Sequence, residues 1–161
     1  MENADPHRTI RPAAAGDIPL IERFMPRRMP GTHRERLEKQ GRGDVLYLIA
    51  WLGGVPVGHL LIKWNGTGAS TPLASCPTLS DIAVHPNHQS KGIGSSLMDY
   101  AERLVEQHGH DCVSLKVAID NVRARDLYEH RGYQDSGLGT VRSPYLTVFR
   151  TLHGPLRRTV R

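Results

Sequence analysis

Residues 78–119 carry the pattern that most restricts the fold. Thr78-Leu-Ser-Asp-Ile-Ala-Val84 reads as a strand and is stopped by His85-Pro86. A glycine-bearing loop follows, Gln89-Ser90-Lys91-Gly92-Ile93-Gly94. After it Ile93, Leu97, Met98, Ala101, Leu104 and Val105 recur on one helical stripe that ends near Gly109. Val113, Leu115, Val117 and Ile119 then alternate on one face of a second strand. Two strands joined through a helix form a crossover, predicted to be parallel and right-handed.

The remaining elements must be arranged around that crossover. Val45–Leu52 and Val55–Lys63 flank Gly53-Gly54, the signature of a two-residue hairpin. Upstream, Thr9–Arg11 reads as a short strand closed by Pro12. Asp17 is placed to cap a helix carrying Ile18, Leu20, Ile21, Phe24 and Met25. Thr32-His-Arg-Glu35 has the capping-box spacing for a second helix, through Gln40. Residues 65–77, with Gly66, Gly68, Pro72 and Pro77, read as a loop. Downstream come a helix over 121–131 ended by Gly132, a strand from Tyr133, a Gly137/Gly139 loop and a strand over 145–152. The expected class is α/β of the α+β type: a mixed, mainly antiparallel sheet of about seven strands with helices on both faces.

A chain of 161 residues fits one domain, expected over 1–154, followed by a poorly ordered basic tail at 155–161. No apolar run approaches a membrane span, and the N-terminus shows no secretory h-region, so the expectation is a cytoplasmic protein without a membrane role. Two cysteines, Cys76 and Cys112, are too few for a disulfide framework, and are expected reduced and semi-buried. His85/His88 and His108/His110 repeat no zinc-site spacing, so no metal is expected. The net charge of +5 and the pI near 9.6 favour anionic partners. No helix-turn-helix, RRM or KH signature supports nucleic-acid binding.

The loop at 89–94 is where chemistry concentrates. A strand, a glycine turn and a helix N-terminus make an anion site, because amides of the first helical turn point outward and the helix dipole favours negative charge. Gly92 and Gly94 let backbone approach a pyrophosphate, Lys91 adds a cation, and Ser95 and Ser96 add hydroxyls. The loop is not G-x-x-x-x-G-K-[ST], which excludes a P-loop NTPase. Nor is it G-x-G-x-x-G, since Leu97 occupies the third glycine position.

The segment from Leu79 to Gly94 resembles the acetyl-CoA-binding motif of GNAT acetyltransferases, a strand and polar loop followed by Q/R-x-x-G-x-G/A. Asn121-Val-Arg-Ala-Arg-Asp-Leu-Tyr-Glu-His-Arg-Gly-Tyr133 is similar to that family's N-x-x-A-x-x-L-Y-x-x-x-G-F/Y helix. The resemblance implies an N-acetyltransferase with acetyl-CoA as cosubstrate and a primary amine as acceptor. By resemblance, backbone groups of Ile82, Ala83 and Val84 pair with the pantetheine arm. Amides of Gln89, Ser90, Lys91, Gly92, Ile93, Gly94 and Ser95 take the pyrophosphate, and Asn121 contacts the cofactor. Tyr128 protonates the departing thiolate, a role that a phenol near pKa 10 can fill. The N–H of Val84 or Ile82 is the expected oxyanion donor. Family members are often dimers, so a homodimer using the 145–152 edge is one option.

This chain departs from the family at two acidic positions, having Thr78 and Lys116 where relatives carry glutamates. Asp81, His85, Asp120 or a water chain remain as routes for the amine proton. The acceptor is expected against Arg27, Arg28, His33, Arg34, Arg36, Tyr133 and Tyr145, a basic wall suited to a carboxylate- or phosphate-bearing amine. The competing class is a domain that binds acyl-CoA without turnover.

Overall fold

The computed structural model describes residues 7–65, 75–137 and 144–152. Residues 66–74 of the expected 65–77 loop, Gly139 and the basic tail lie outside the described residues. The elements run β1 (Arg8–Pro12), α1 (Ile18–Phe24), α2 (Thr32–Gly41), β2 (Val45–Leu52), β3 (Val55–Lys63), β4 (Thr78–Val84) and α3 (Ile93–Gln107). They continue with β5 (Cys112–Ala118), α4 (Val122–His130), β6 (Gln134–Asp135) and β7 (Tyr145–Thr151). Short 3-10 turns precede α1 and α3, at Ala15–Asp17 and Pro86–His88. The seven strands are ordered β1-β2-β3-β4-β5-β7-β6. The β4·β5 pair is parallel, as the crossover demands, while β1·β2, β2·β3, β5·β7 and β6·β7 are antiparallel.

Two capping expectations fail, each because a side chain finds a better local partner. Asp17 stands at the N-cap position of α1, but its carboxylate turns back to the Ala14 N–H at 2.8 Å and to Arg11 at 2.6 and 2.9 Å, so its side chain caps the preceding 3-10 turn and not α1. Thr32 is the first residue of α2 rather than its cap. Gly31, at φ +79°, occupies the cap, and the Thr32 hydroxyl donates to the Met29 carbonyl. Gly53 and Gly54 both take positive φ, as the expected hairpin turn requires.

The chain divides into two compact units. The first comprises the residues up to Trp64 together with Asp81–Ala101. Along β2, Tyr47, Ile49 and Trp51 are buried on one face with Ala13, Ile21 and Met25, beneath α1 and α2. On β3 the neighbouring residue Gly58 necessarily looks to the opposite face. A Cβ placed there would come within 3.2 Å of Ile93 and Leu97 of α3, and within 3.1 Å of the Ala83 carbonyl. This glycine therefore lets α3 lie directly on β3, and helices cover both faces of the first unit.

The second unit comprises Asn65–Ser80 and the residues from Glu102 onward. It is organised by β5, with Val113, Leu115 and Val117 buried on one face. Glu102, only 5% exposed, is neutralised by Arg131 at 2.5 Å and Arg150 at 2.6 Å. Two guanidiniums on one buried carboxylate satisfy both of its oxygens, without which burial would be costly.

The cysteine expectation is overturned: Cys76 and Cys112 form a disulfide with Cα atoms 5.2 Å apart. The parallel register explains it. Thr78 pairs with Ser114 and Leu79 with Leu115, so Cys76 and Cys112, each two residues earlier, face one another with the same separation of 36. Counting cysteines pointed to thiols, whereas strand register makes a bridge.

Candidate active site

In the first unit, β4 ends at the glycine loop, whose backbone is shaped by two residues of positive φ, Ser90 at +63° and Gly92 at +79°. Nothing lies within 4 Å of a Cβ built at Gly92, so the left-handed backbone is what calls for glycine there in the protein alone. The Gln89 amide donates to the Val84 carbonyl at 3.2 Å and ties the loop to the end of β4. Ser96 N–H closes the first helical turn on the Gly92 carbonyl at 3.0 Å. Amides of Ile93, Gly94 and Ser95 belong to that first turn, the part of a helix with donors to offer.

β4 is not a regular strand. Asp81 has φ +52°, so the simple alternation that would set it opposite Ile82 is broken just before the Ile82–Val84 stretch. Three groups hold this residue. His59 Nδ1 donates to the Asp81 carbonyl at 2.8 Å, Arg27 donates to its carboxylate at 2.9 Å, and Arg36 forms a second ion pair with it. Burial raises the proton affinity of Asp81, but the guanidinium of Arg36, the adjoining His59 imidazole and the guanidinium of Arg27 together outweigh it, and its pKa lies below the usual carboxylate range. A carboxylate so engaged is a poor general base.

Arg36 continues the network to Tyr47, whose hydroxyl accepts from it at 3.2 Å and donates to His33 Nδ1 at 2.7 Å. His33 Nε2 in turn donates to the Met25 carbonyl at 2.7 Å, which fixes its tautomer. Both histidines are buried, and burial lowers both pKa values, that of His59 to about 4. They are neutral interior groups.

The expected basic wall is therefore corrected. His33 is interior, Arg36 is largely buried and paired, and Tyr133 is only 3% exposed. Arg27, Arg28, Arg34 and Tyr145 remain on the surface. Asp81 with its two guanidiniums still carries one net positive charge.

The two positions that depart from the family, Thr78 and Lys116, and the other base candidates, His85 and Asp120, have the following surroundings. Thr78 is buried with its hydroxyl 3.2 Å from that of Ser114, so a hydroxyl pair stands where a carboxylate was expected in relatives. Lys116 is exposed on β5. His85 Nδ1 accepts from the Asn87 N–H at 3.1 Å, capping the Pro86–His88 turn. Asp120 lies exposed before α4.

In the second unit, Asn121 caps α4 by accepting from the Ala124 N–H at 3.1 Å. Tyr128 is half-buried on α4, and its ring meets that of Tyr133 edge-on with centroids 5.9 Å apart. Burial raises its pKa above 10, which the charge of Arg131 only partly offsets, so the phenol stays protonated. Tyr128 and Tyr133 help to line a cavity of about 530 Å³ floored by Val117, Leu146 and Val148. Among the described residues, no group of three or more His, Cys, Asp or Glu is arranged to hold a metal ion.

Sequence reasoning missed His59 and Tyr47, and although it named Arg27, Arg36 and Asp81 it did not foresee that they pair with one another. The one available signal was a histidine inside the apolar run Val55–Lys63, where a buried polar side chain must find a partner.

A family model described as the acetyltransferase (GNAT) family matches residues 18–133. The uncharacterized N-acetyltransferase YhfO of Bacillus subtilis is 33% identical over 69 residues, covering 43% of this chain and 46% of that protein. A mycothiol acetyltransferase of Beutenbergia cavernae is 39% identical over 80 residues, covering 45% of this chain and 27% of that protein. Both matches span less than half the length of these relatives. The structure of the PaiA N-acetyltransferase of Thermoplasma acidophilum in complex with coenzyme A superposes with a TM-score of 0.66 at 16% identity, covering 90% of this chain and 99% of that one. At that identity the likeness is one of fold.

Proposed function

Because this chain belongs to the GNAT acetyltransferase family, we propose that it transfers an acetyl group from acetyl-CoA to a primary amine by direct attack. The observation that carries this reading is the loop after β4, where Ser90 and Gly92 turn the backbone ahead of the first turn of α3. That geometry suits a diphosphate, and the coenzyme A held by the Thermoplasma relative supports the same ligand here. Gln89 through Ser95 would bind the diphosphate, and Ile82, Ala83 and Val84 would present backbone groups to the pantetheine arm. Gln89 already occupies the Val84 carbonyl, and the N–H of Val84 or Ile82 would receive the thioester oxygen.

The amine nitrogen forms a bond to the thioester carbon, the carbon–sulfur bond breaks, and the thiolate takes a proton from the Tyr128 hydroxyl. With Asp81 paired and Thr78 in a hydroxyl pair, the amine loses its proton to water rather than to a side chain. We propose an acceptor with a carboxylate or phosphate beside its amine. Its support is the residual charge of the Arg27–Asp81–Arg36 group together with exposed Arg28 and Arg34.

The test is mass-spectrometric detection of acetylated product across amino acids, amine phosphates, short peptides and polyamines. Product from the anionic amines supports the acceptor assignment. Product confined to polyamines contradicts it.

A further inference from the structure

We infer that Arg8, the first residue of β1, is a positioning residue for the diphosphate-binding loop, holding its backbone in the shape that receives acetyl-CoA; this rests on the functional reading above. Arg8 is 83 residues away from the loop in sequence, yet its guanidinium reaches it twice. Nη2 donates to the Lys91 carbonyl at 3.0 Å, and Nη1 donates to the Ser96 hydroxyl at 3.3 Å. These acceptors lie on the two parts of the anion site that must keep a fixed relation. Lys91 stands between the two residues of positive φ, Ser90 and Gly92, and Ser96 closes the first turn of α3 on Gly92.

The chemistry explains why an arginine occupies this position. Ser90 is a non-glycine residue in the left-handed region, a conformation that persists only when its surroundings enforce it. A carbonyl fixed from outside prevents the peptide between residues 91 and 92 from rotating, and the amides after it then keep their direction. The planar fork of arginine serves two acceptors at once and is always charged, whereas a lysine ammonium is one compact donor group on a flexible stem. The same charge offsets part of the cost of assembling two phosphates beside the loop. Nε of Arg8 is buried with no hydrogen-bond partner among the described residues, so the fork is spent on the loop at the expense of its third donor site. Backbone pairing of Arg8 with Leu52 anchors the other end of the lever in the sheet.

The experiment compares the wild type with Arg8→Met, Arg8→Lys and Ser96→Ala, using acetyl-CoA and acetyl-pantetheine, a thioester without the diphosphate. CoA binding is measured by calorimetry and turnover by thiol release, with thermal melting of the ligand-free protein as the fold control. Arg8→Met should raise KM for acetyl-CoA and Kd for CoA about tenfold, the loss expected for charged hydrogen bonds, with kcat little changed. Its kcat/KM with acetyl-pantetheine should equal that of the wild type. Ser96→Ala should show the same selective loss at smaller size. Arg8→Lys should recover only part of it, because charge returns and the two-point bridge does not. Acetyl-CoA affinity within twofold of wild type in Arg8→Met overturns the assignment, and so does an equal loss with both thioesters. Full recovery in Arg8→Lys overturns the positioning role in favour of charge alone. A wild type that binds no CoA overturns the functional reading instead, and is recognised before any variant is compared.

Discussion

His59 Nδ1 donates a hydrogen bond of 2.8 Å to the backbone carbonyl of Asp81, joining the middle of β3 to the irregular point of β4. The bond requires a proton on Nδ1, and burial makes the imidazole neutral at ordinary pH. Asp81 is thus held through its backbone by a neutral donor and through its carboxylate by Arg27 and Arg36. The residues that follow, Ile82 to Val84, inherit their direction from this fixed corner.

Stability should depend on pH through His59. Its pKa is about 4 in the fold against 6.5 for an ordinary histidine side chain, so between these limits the unfolded chain binds a proton that the folded chain refuses. Stability therefore rises with pH across that window and falls as pH drops through it, by roughly 3 kcal/mol for the full shift. Chemical denaturation at intervals from pH 7 to 4 measures this. His59→Asn should flatten the profile while leaving the smaller slope that His33, shifted in the same direction, contributes.

Two glycines should respond to substitution for different reasons. Gly58→Ala puts a Cβ within 3.2 Å of α3 side chains and 3.1 Å of a backbone oxygen, and overpacking of this kind costs ~1–3 kcal/mol of stability. Gly92→Ala meets no neighbour but must hold φ +79°, costing roughly 1 kcal/mol of backbone strain. Denaturation midpoints should fall more for Gly58→Ala. The KM for acetyl-CoA should rise more for Gly92→Ala, whose loop must keep its turn to bind.

Reducing the Cys76–Cys112 bridge should lower stability. A closed loop of 36 residues gives about 3–4 kcal/mol in the chain-entropy description. Melting with and without reductant checks this, and the Cys76→Ser, Cys112→Ser double variant should match the reduced protein and be insensitive to reductant.

Much of this architecture is legible in the sequence because it is local. The alternation of Val113 to Val117, the stripe from Ile93 to Val105 and the Gly53-Gly54 turn each declare an element without reference to anything distant. The loop at 89–94 and the helix bearing Tyr128 are legible for the same reason. The clamp on Asp81 is not, since Arg27, Arg36, His59 and Asp81 come from four places in the chain and carry no shared pattern. The disulfide could be found only from the β4·β5 register, which the sequence does not reveal until the strands are paired. The two capping errors at Asp17 and Thr32 arose from side chains whose preferred partners were an arginine and a carbonyl just outside the helix. Arg8 was invisible because a basic residue near a terminus looks solvated.

Tyr128→Phe should lower kcat by 10²–10⁴-fold, the range for loss of a positioned general acid, with KM for acetyl-CoA little changed. The raised pKa keeps the phenol protonated well above neutrality, so the wild-type rate should follow ionisation of the acceptor amine as pH rises. Steady-state kinetics of the two proteins from pH 6 to 9 checks both points. An unchanged kcat would reduce Tyr128 to a packing residue.

The most direct test of acetyl transfer is the initial rate of CoA thiol release from acetyl-CoA, measured with and without a mixed panel of primary amines. The account predicts release that depends on amine and saturates in acetyl-CoA. Release at background, while acetyl-CoA raises the melting temperature, would contradict it and make the domain a sensor of the thioester rather than an enzyme.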